Sequence, residues 1–322
     1  MNRQAIFEYY NRDTILASLI ATAQEREFVG AYADGRYDAR PNMVQYPADI
    51  LQLVKKGVTS FHASVERWRN PMAITHENYK QLRTGWDLVI DIDAKFDFDD
   101  AKDAALCVIE LLKRFGIKNI NIKFSGRRGF HIVVPWEMFP KTVNFRELKD
   151  QYPLVPRILA RFVCREIEEE LMKRLVKKKT AQRLVSQLQE KPNTLTPFLF
   201  LDIEKDWGNR HVFRAPYSLN EKTWLVSLPL KEREIEHFDP QQASPDRIND
   251  TVPFFLYEPE EATSLMSEAL DWHTATKKQN VQTQKPKQNV SFEKKIDAAY
   301  FPPCMKLILN GLEDGRKRSV FT

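Results

Sequence analysis

Residues 86–135 read WDLVIDIDAKFDFDDAKDAALCVIELLKRFGIKNINIKFSGRRGFHIVVP, and their pattern decides the architecture. Leu88 to Asp93 is an apolar run of strand length, rich in Val and Ile, that carries two acids two residues apart. Strand side chains alternate, so Val89, Asp91 and Asp93 share one surface and Leu88, Ile90 and Ile92 the other, with the two acids roughly 7 Å apart at Cα. That spacing lets two carboxylates reach one divalent-metal site. An Asp at a strand end is often only a turn former or helix N-cap, and Asp97, Asp99 and Asp100 are placed to do that for the helix that follows. An acidic pair inside a hydrophobic strand is costly unless something positive answers it, which points to function.

A helix from about Asp99 to Phe115 stops at Gly116, and a second strand, Lys118 to Phe124, alternates polar and apolar residues. It ends in Ser125-Gly126-Arg127-Arg128-Gly129-Phe130-His131, followed by Ile132-Val133-Val134. Two glycines around two arginines between strands predict a tight hairpin whose amides and guanidiniums, Arg127 and Arg128, can face an anion. An isolated GRRG would be no more than a solvated basic hairpin tip.

The two elements together are more specific. A strand of the form hhhDhD (h, apolar) followed about thirty residues later by FSGRRGFHhhV resembles the catalytic small subunit of archaeal and eukaryotic DNA primase, in the archaeo-eukaryotic primase and primase-polymerase superfamily. The resemblance implies that Asp91 and Asp93 hold divalent metal and that Ser125, Arg128 and His131 contact an incoming nucleoside triphosphate. A third block, FLFLDIEKDWGNRHVFRAPYSLNEKTWLVSLPL at 198–230, resembles that family's segment of strand-borne Asp, His-x-x-Lys/Arg, Pro-aromatic-Ser and Lys-Thr-Gly. By this match Asp202 is the third metal ligand and His211 and Arg214 are triphosphate contacts. Asn220 stands where the family often has a His near the ribose 2′-hydroxyl, and Trp224 replaces the Gly of Lys-Thr-Gly, which leaves the choice of ribonucleotides or deoxynucleotides open.

Working outward, residues 4–24 read as helical and amphipathic, and Arg26-Glu27-Phe28-Val29 opens a β segment. The resemblance offers Arg26 as a nucleotide or template contact, against a plain surface charge. A loop around Arg36 and Arg40, a helix near 48–56 and a strand near 58–68 follow, with His62 read as a packing or hairpin residue. Between the first two motifs many family members carry a Cys/His zinc knob. Here that interval has a lone Cys107, and about four N or S ligands would be needed, so no structural zinc is expected.

Residues 144–192 read as a helical insertion in which Glu166, Glu168, Glu169 and Glu170 precede Lys173, Arg174, Lys177, Lys178 and Lys179. That order suits a solvated helix face aligned with the helix dipole better than a nucleic-acid backbone site. Short strands and turns are expected over 231–260 and a helix over 260–275. A polar stretch at 276–291 reads as a flexible linker, and 292–322, with Pro302-Pro303-Cys304, resembles the start of the iron-sulfur C-terminal domain of the primase large subunit. The other three cluster ligands are missing, so no iron-sulfur cluster is expected in this chain, which reads as the front of a longer fusion.

The 322 residues, 43% hydrophobic and 29% charged, can bury a substantial core, and the catalytic domain is expected over 1–275. A net charge of +5 leans mildly toward polyanionic partners. No run approaches the roughly 18 apolar residues of a membrane span, the start does not read as a signal peptide, and three cysteines without CxxC spacing suit a reducing cytoplasm.

The expected fold is an α/β primase catalytic core of mixed and antiparallel sheets with flanking helices. Three carboxylates are hard ligands for two Mg²⁺ or Mn²⁺ ions. The expected activity is template-directed synthesis or extension of primers on single-stranded DNA from NTPs or dNTPs, with a large-subunit-like domain or partner for initiation. Two rivals are a gap-filling repair polymerase of the same fold and a catalytically idle nucleic-acid-binding subunit.

Overall fold

The structure, a computed structural model, describes residues 1–188, 192–283 and 300–302. The chain divides into two units, Met1–Thr276 and Lys277–Thr322, and the fold below is that of the first. In order it runs α1 (Arg3–Tyr10), α2 (Asp13–Ala23), β1 (Phe28–Ala31), α3 (Pro47–Lys55), β2 (Ser60–Ser64), β3 (Glu66–Trp68), α4 (Tyr79–Leu82), β4 (Arg83–Trp86) and β5 (Leu88–Ala94). Then come α5 (Phe98–Arg114), β6 (Asn121–Phe124), β7 (Gly129–Val134), β8 (Thr142–Val143), β9 (Arg146–Glu147), α6 (Leu154–Lys179) and α7 (Ala181–Ser186). The last elements are β10 (Leu201–Ile203), β11 (Val212–Arg214), β12 (Pro229–Leu230) and α8 (Thr263–Thr283), the last of which runs on past Thr276.

Two sheets matter for function. One has five strands in the order β10-β5-β7-β6-β12, the other three in the order β1-β2-β11. Every strand pair among the described residues is antiparallel, so the expected α/β class holds while the parallel component of a mixed sheet does not appear. The alternation read from Leu88–Asp93 holds: Leu88, Ile90 and Ile92 are fully buried, and α5 packs on β5 and β7. That helix is specified as the sequence suggested. Asp97 accepts a hydrogen bond from Asp99 N, acids fill the first turn, Lys113 and Arg114 the last, and Gly116 at φ +86° ends it.

Several expectations are refined or corrected. The helical stretch 4–24 is divided in two, because Asn11 caps the first helix while Tyr9 and Tyr10, buried beside it, donate hydroxyl hydrogen bonds to Tyr217 O and Thr59 O and fix the turn. The strand over 58–68 breaks at Val65 into β2 and β3, which enter different sheets. Residues 231–260 carry short 3₁₀ turns rather than strands, as their prolines dictate. The linker expected from 276 begins helically: α8 continues to Thr283, through Lys and Gln residues that are good helix formers with no Gly or Pro until Pro286. The rest of that linker, 292–299, Cys304 and the residues after it lie outside the described residues.

The insertion is one 26-residue helix, α6, and the short α7, preceded by the β8–β9 hairpin rather than helical from residue 144. Its acid-then-base order is used as a packing device: Lys178 reaches Asp103 and Lys179 reaches Asp97 and Asp100, tying α6 to α5. No helix among the described residues is long and apolar enough to cross a membrane.

Candidate active site

Antiparallel pairing assembles the acids. In the β5–β7 register Asp91 stands opposite His131 and Asp93 opposite Gly129, and on the other edge of β5, Asp202 of β10 stands opposite Asp93. Gly129 is required there, since a Cβ would lie 1.7 Å from Ile92 O. All three acids line one cavity of about 300 Å³ together with Glu204 and Asp206. A second cavity of about 230 Å³, between the two sheets, shares Asp91 and Asp93 and is lined by Ser125, Arg127, His131, Arg214 and Asn220.

Each acid is answered by a basic group of its own chain. Asp91 Oδ1 is 3.3 Å from His131 Nε2, Asp93 Oδ2 is 3.0 Å from both Nε and Nη2 of Arg128, and Asp202 Oδ1 is 2.8 Å from Lys95 Nζ. Burial pushes the Asp91 carboxyl up, but His131 and Lys123 more than offset it and hold it below the usual range. The donor chemistry suits a hard divalent ion, and Asp91 Oδ1 is buried without a well-formed hydrogen bond. As the side chains stand, no three His, Cys, Asp or Glu groups among the described residues converge as a ligand set; Asp202 and Asp93 are paired with Lys95 and Arg128 instead.

The opposite wall is cationic and polar. Ser125 N–H donates to Gly129 O at 2.9 Å, and Gly126, at φ +94°, makes the turn that the GRRG spacing predicted. The two arginines diverge. Arg127 lines the inter-sheet cavity, whereas Arg128, the one the resemblance singled out, is turned toward Asp93 and lines neither cavity. Arg214 is in place, but its Nη2 pairs with Glu221 Oε2 at 2.8 Å and its Nη1 donates to Leu219 O at 2.8 Å. Asn220 uses Oδ1 to accept from Lys222 N (2.9 Å) and Thr223 N (3.3 Å), which leaves its amide nitrogen for the cavity. His211 lies outside both linings, half-buried with its ring 4.1 Å from that of Trp207, and burial lowers its pKa.

Sequence reasoning missed several groups. His62, read as packing, lines the inter-sheet cavity opposite Arg214 in the β2–β11 register, with the Tyr37 ring 5.1 Å away. Glu221 and Lys222 line it too. Lys123 lies behind His131, completely buried, its Nζ 2.8 Å from Nδ1, and burial pushes its pKa well down. No short-range spacing marks these residues, because they meet only when β2, β6 and β11 are brought around β5. Arg26 goes the other way. It is 2% exposed and bound to Asp87 at 2.7 Å, a buried structural pair rather than a surface charge or a site residue.

Residues 90–232 match the family model described as DNA primase small subunit. Among curated relatives, an uncharacterized protein of Methanocaldococcus jannaschii is 29% identical over 203 residues, covering 61% of this chain and 41% of that protein, so the chain spans only about two fifths of its length. The DNA primase small subunit PriS of Pyrobaculum islandicum is 26% identical over 243 residues, 67% of this chain and 74% of PriS. That of Pyrobaculum calidifontis is 29% identical over 243 residues, 65% and 70%. A solved structure of the polymerase domain of Mycobacterium tuberculosis ligase D in complex with DNA aligns over 84% of this chain and 89% of that one at 17% identity, with a TM-score of 0.47.

Proposed function

We propose that this chain, whose residues 90–232 match the DNA primase small subunit model, is a template-directed nucleotidyltransferase of the archaeo-eukaryotic primase superfamily that makes or extends primers on single-stranded DNA from nucleoside triphosphates. The observation that carries the reading is the inter-sheet cavity, in which Asp91 and Asp93 share walls with Ser125, Arg127, His131 and Arg214. Acids on one wall and anion-binding groups on the other are what transfer of a nucleotidyl group between two oxygens requires.

Asp91, Asp93 and Asp202 are the residues that would hold two Mg²⁺ or Mn²⁺ ions, which when bound supply activation of a 3′-hydroxyl and charge neutralisation at the departing pyrophosphate. The chain's own groups do the rest. Arg127 and Arg214 give charge-assisted hydrogen bonds to phosphate oxygens, and Ser125 and His131 add donors from the hairpin and β7. Gly126 lets the hairpin backbone lie close against Asn220. Catalysis is then mainly positioning and electrostatics. A large-subunit-like domain or partner would complete initiation.

Incorporation of labelled nucleotide on primed and unprimed single-stranded DNA, with Mg²⁺ or Mn²⁺ and with NTPs or dNTPs, tests the reading. Metal-dependent product in the wild type, lost in Asp91→Asn/Asp93→Asn with an unchanged far-UV spectrum, is expected. Retained activity in that double mutant would refute the site, and DNA binding without incorporation on any primed template would replace the enzyme with a binding subunit.

A further inference from the structure

His131 ends a row of four hydrogen-bonding groups, with Lys123, Ser227 and Phe124 O behind it, whose polarity is fixed from the far end. Ser227 Oγ donates to Phe124 O at 3.0 Å, so toward Lys123 it is an acceptor. Lys123 Nζ donates to it at 2.7 Å and lies 2.8 Å from His131 Nδ1. On the far side of the ring, Nε2 faces Asp91 Oδ1 at 3.3 Å, and a carboxylate has no hydrogen to give. Nε2 therefore carries the hydrogen, Nδ1 is bare, and Lys123 supplies its proton-bearing partner. With Lys123 an ammonium, which has no lone pair, this direction is obligatory; with Lys123 an amine, which could also accept, the Asp91 carboxylate beside Nε2 keeps it.

Nothing else accounts for Lys123. It and Ser227 are fully buried and His131 nearly so, the lysine packs near the Phe213 ring, and among the described residues no carboxylate lies within salt-bridge distance of it. Burying a lysine amine on a central strand is costly, and among the described residues its polar partners are the serine and the histidine. We propose that Lys123, anchored by Ser227, is a positioning residue that locks His131 in the Nε2–H tautomer, so that the cavity is always presented with a hydrogen-bond donor rather than a lone pair. What that donor meets, a phosphate oxygen of the nucleotide, rests on the nucleotidyltransferase reading above.

Two measurements separate the inference from that reading. Correlation spectra of ¹⁵N-histidine-labelled protein, with the His131 signals assigned by their loss in His131→Asn, report the tautomer without any reaction. The wild type should show Nε2–H with a bare Nδ1, and Lys123→Met should show both tautomers. Ser227→Ala, a smaller change that keeps the lysine, should lie between them. Nδ1–H in the wild type, or an unchanged tautomer in a folded Lys123→Met, overturns the proposal.

Kinetically, Lys123→Met should raise the nucleotide KM about tenfold or more with a smaller change in kcat, since it removes one oriented donor. A lysine needed only for stability would lower the melting temperature of both variants and leave the tautomer and KM where they were, and that result also overturns it. If the wild type incorporates no nucleotide but its spectrum shows Nε2–H, the function fails while the positioning role stands.

Discussion

Asp87→Asn should weaken the fold by about 3 kcal/mol while leaving the site chemistry untouched. Asp87 lies just before β5, so it fixes the start of the strand that carries Asp91 and Asp93, and it is 2% exposed. Its Oδ2 accepts from Arg26 Nη2 at 2.7 Å and Arg67 Nε at 3.0 Å, and its Oδ1 from Arg67 Nη2 at 2.8 Å and Trp136 N at 3.0 Å. Burial alone pushes this carboxyl up, but Arg67 and Arg26 more than offset it and hold it at about 2 against an ordinary 3.8. That difference is worth about 2 kcal/mol of stability. Removing one partner of a buried ion pair costs about 3–5 kcal/mol, and Asn keeps one acceptor, which puts the expected loss at the lower end.

The sign follows from the depressed folded pKa: the contribution is complete above the unfolded value and fades as pH falls from about 4 toward about 2. Equilibrium urea unfolding of both proteins from pH 7 to pH 3 is the assay. The gap between them should be about 3 kcal/mol at pH 7 and shrink by about 1 kcal/mol between pH 5 and pH 3, because half of the linked range is crossed there. A gap under about 1 kcal/mol at pH 7, or two curves that stay parallel on acidification, would refute the argument.

The two arginines of the hairpin should separate. Arg127→Ala, which removes a cavity guanidinium, should lower kcat/KM about tenfold to a hundredfold through KM, whereas Arg128→Ala should release Asp93 from a half-exposed pair and lower the Mg²⁺ concentration at half-maximal rate, with KM little changed. The reverse pattern in a nucleotide and metal titration would restore Arg128 as the triphosphate contact. Glu221→Gln should free Arg214 for the nucleotide and lower its KM severalfold, while a raised KM would mean that Glu221 holds Arg214 in its working position. Gly129→Ala should abolish the native fold, since β7 would have to leave β5, and a thermal melt like the wild type's would contradict the register.

What the sequence disclosed was local. Strand parity at Leu88–Asp93, the capped helix after it and the glycine hairpin each depend on neighbours within a few residues, and all three formed as read. What it concealed was set by pairing between distant strands. Arg26 and Arg128 are both basic residues in suggestive positions, and nothing near them in sequence says that one is spent on Asp87 and the other on Asp93. His62 reaches the cavity only because β11 pairs with β2. The break between α1 and α2 depends on Tyr9 and Tyr10 finding acceptors more than 45 residues away.

The same pairing explains why the acids carry their own basic partners. Antiparallel register sets Asp202 directly across from Asp93, with Asp91 one pleat further along, and like charges opposed on a sheet destabilise it. Without a counter-charge the strand edge that makes the site would resist forming. Lys95 and Arg128 meet that need as charges at Asp202 and Asp93, and His131 meets it at Asp91 as a hydrogen-bond donor, so the fold does not depend on an ion to assemble. Two of the three are cheap to displace: the Lys95–Asp202 and Arg128–Asp93 pairs are each a third or more exposed on both sides, where such pairs contribute at most about 1 kcal/mol. His131 is different, being buried and held from behind by Lys123. Under the proposed function, divalent ions would therefore replace Lys95 and Arg128 at Asp202 and Asp93, while His131 keeps its place at the junction of the acidic and phosphate-binding walls.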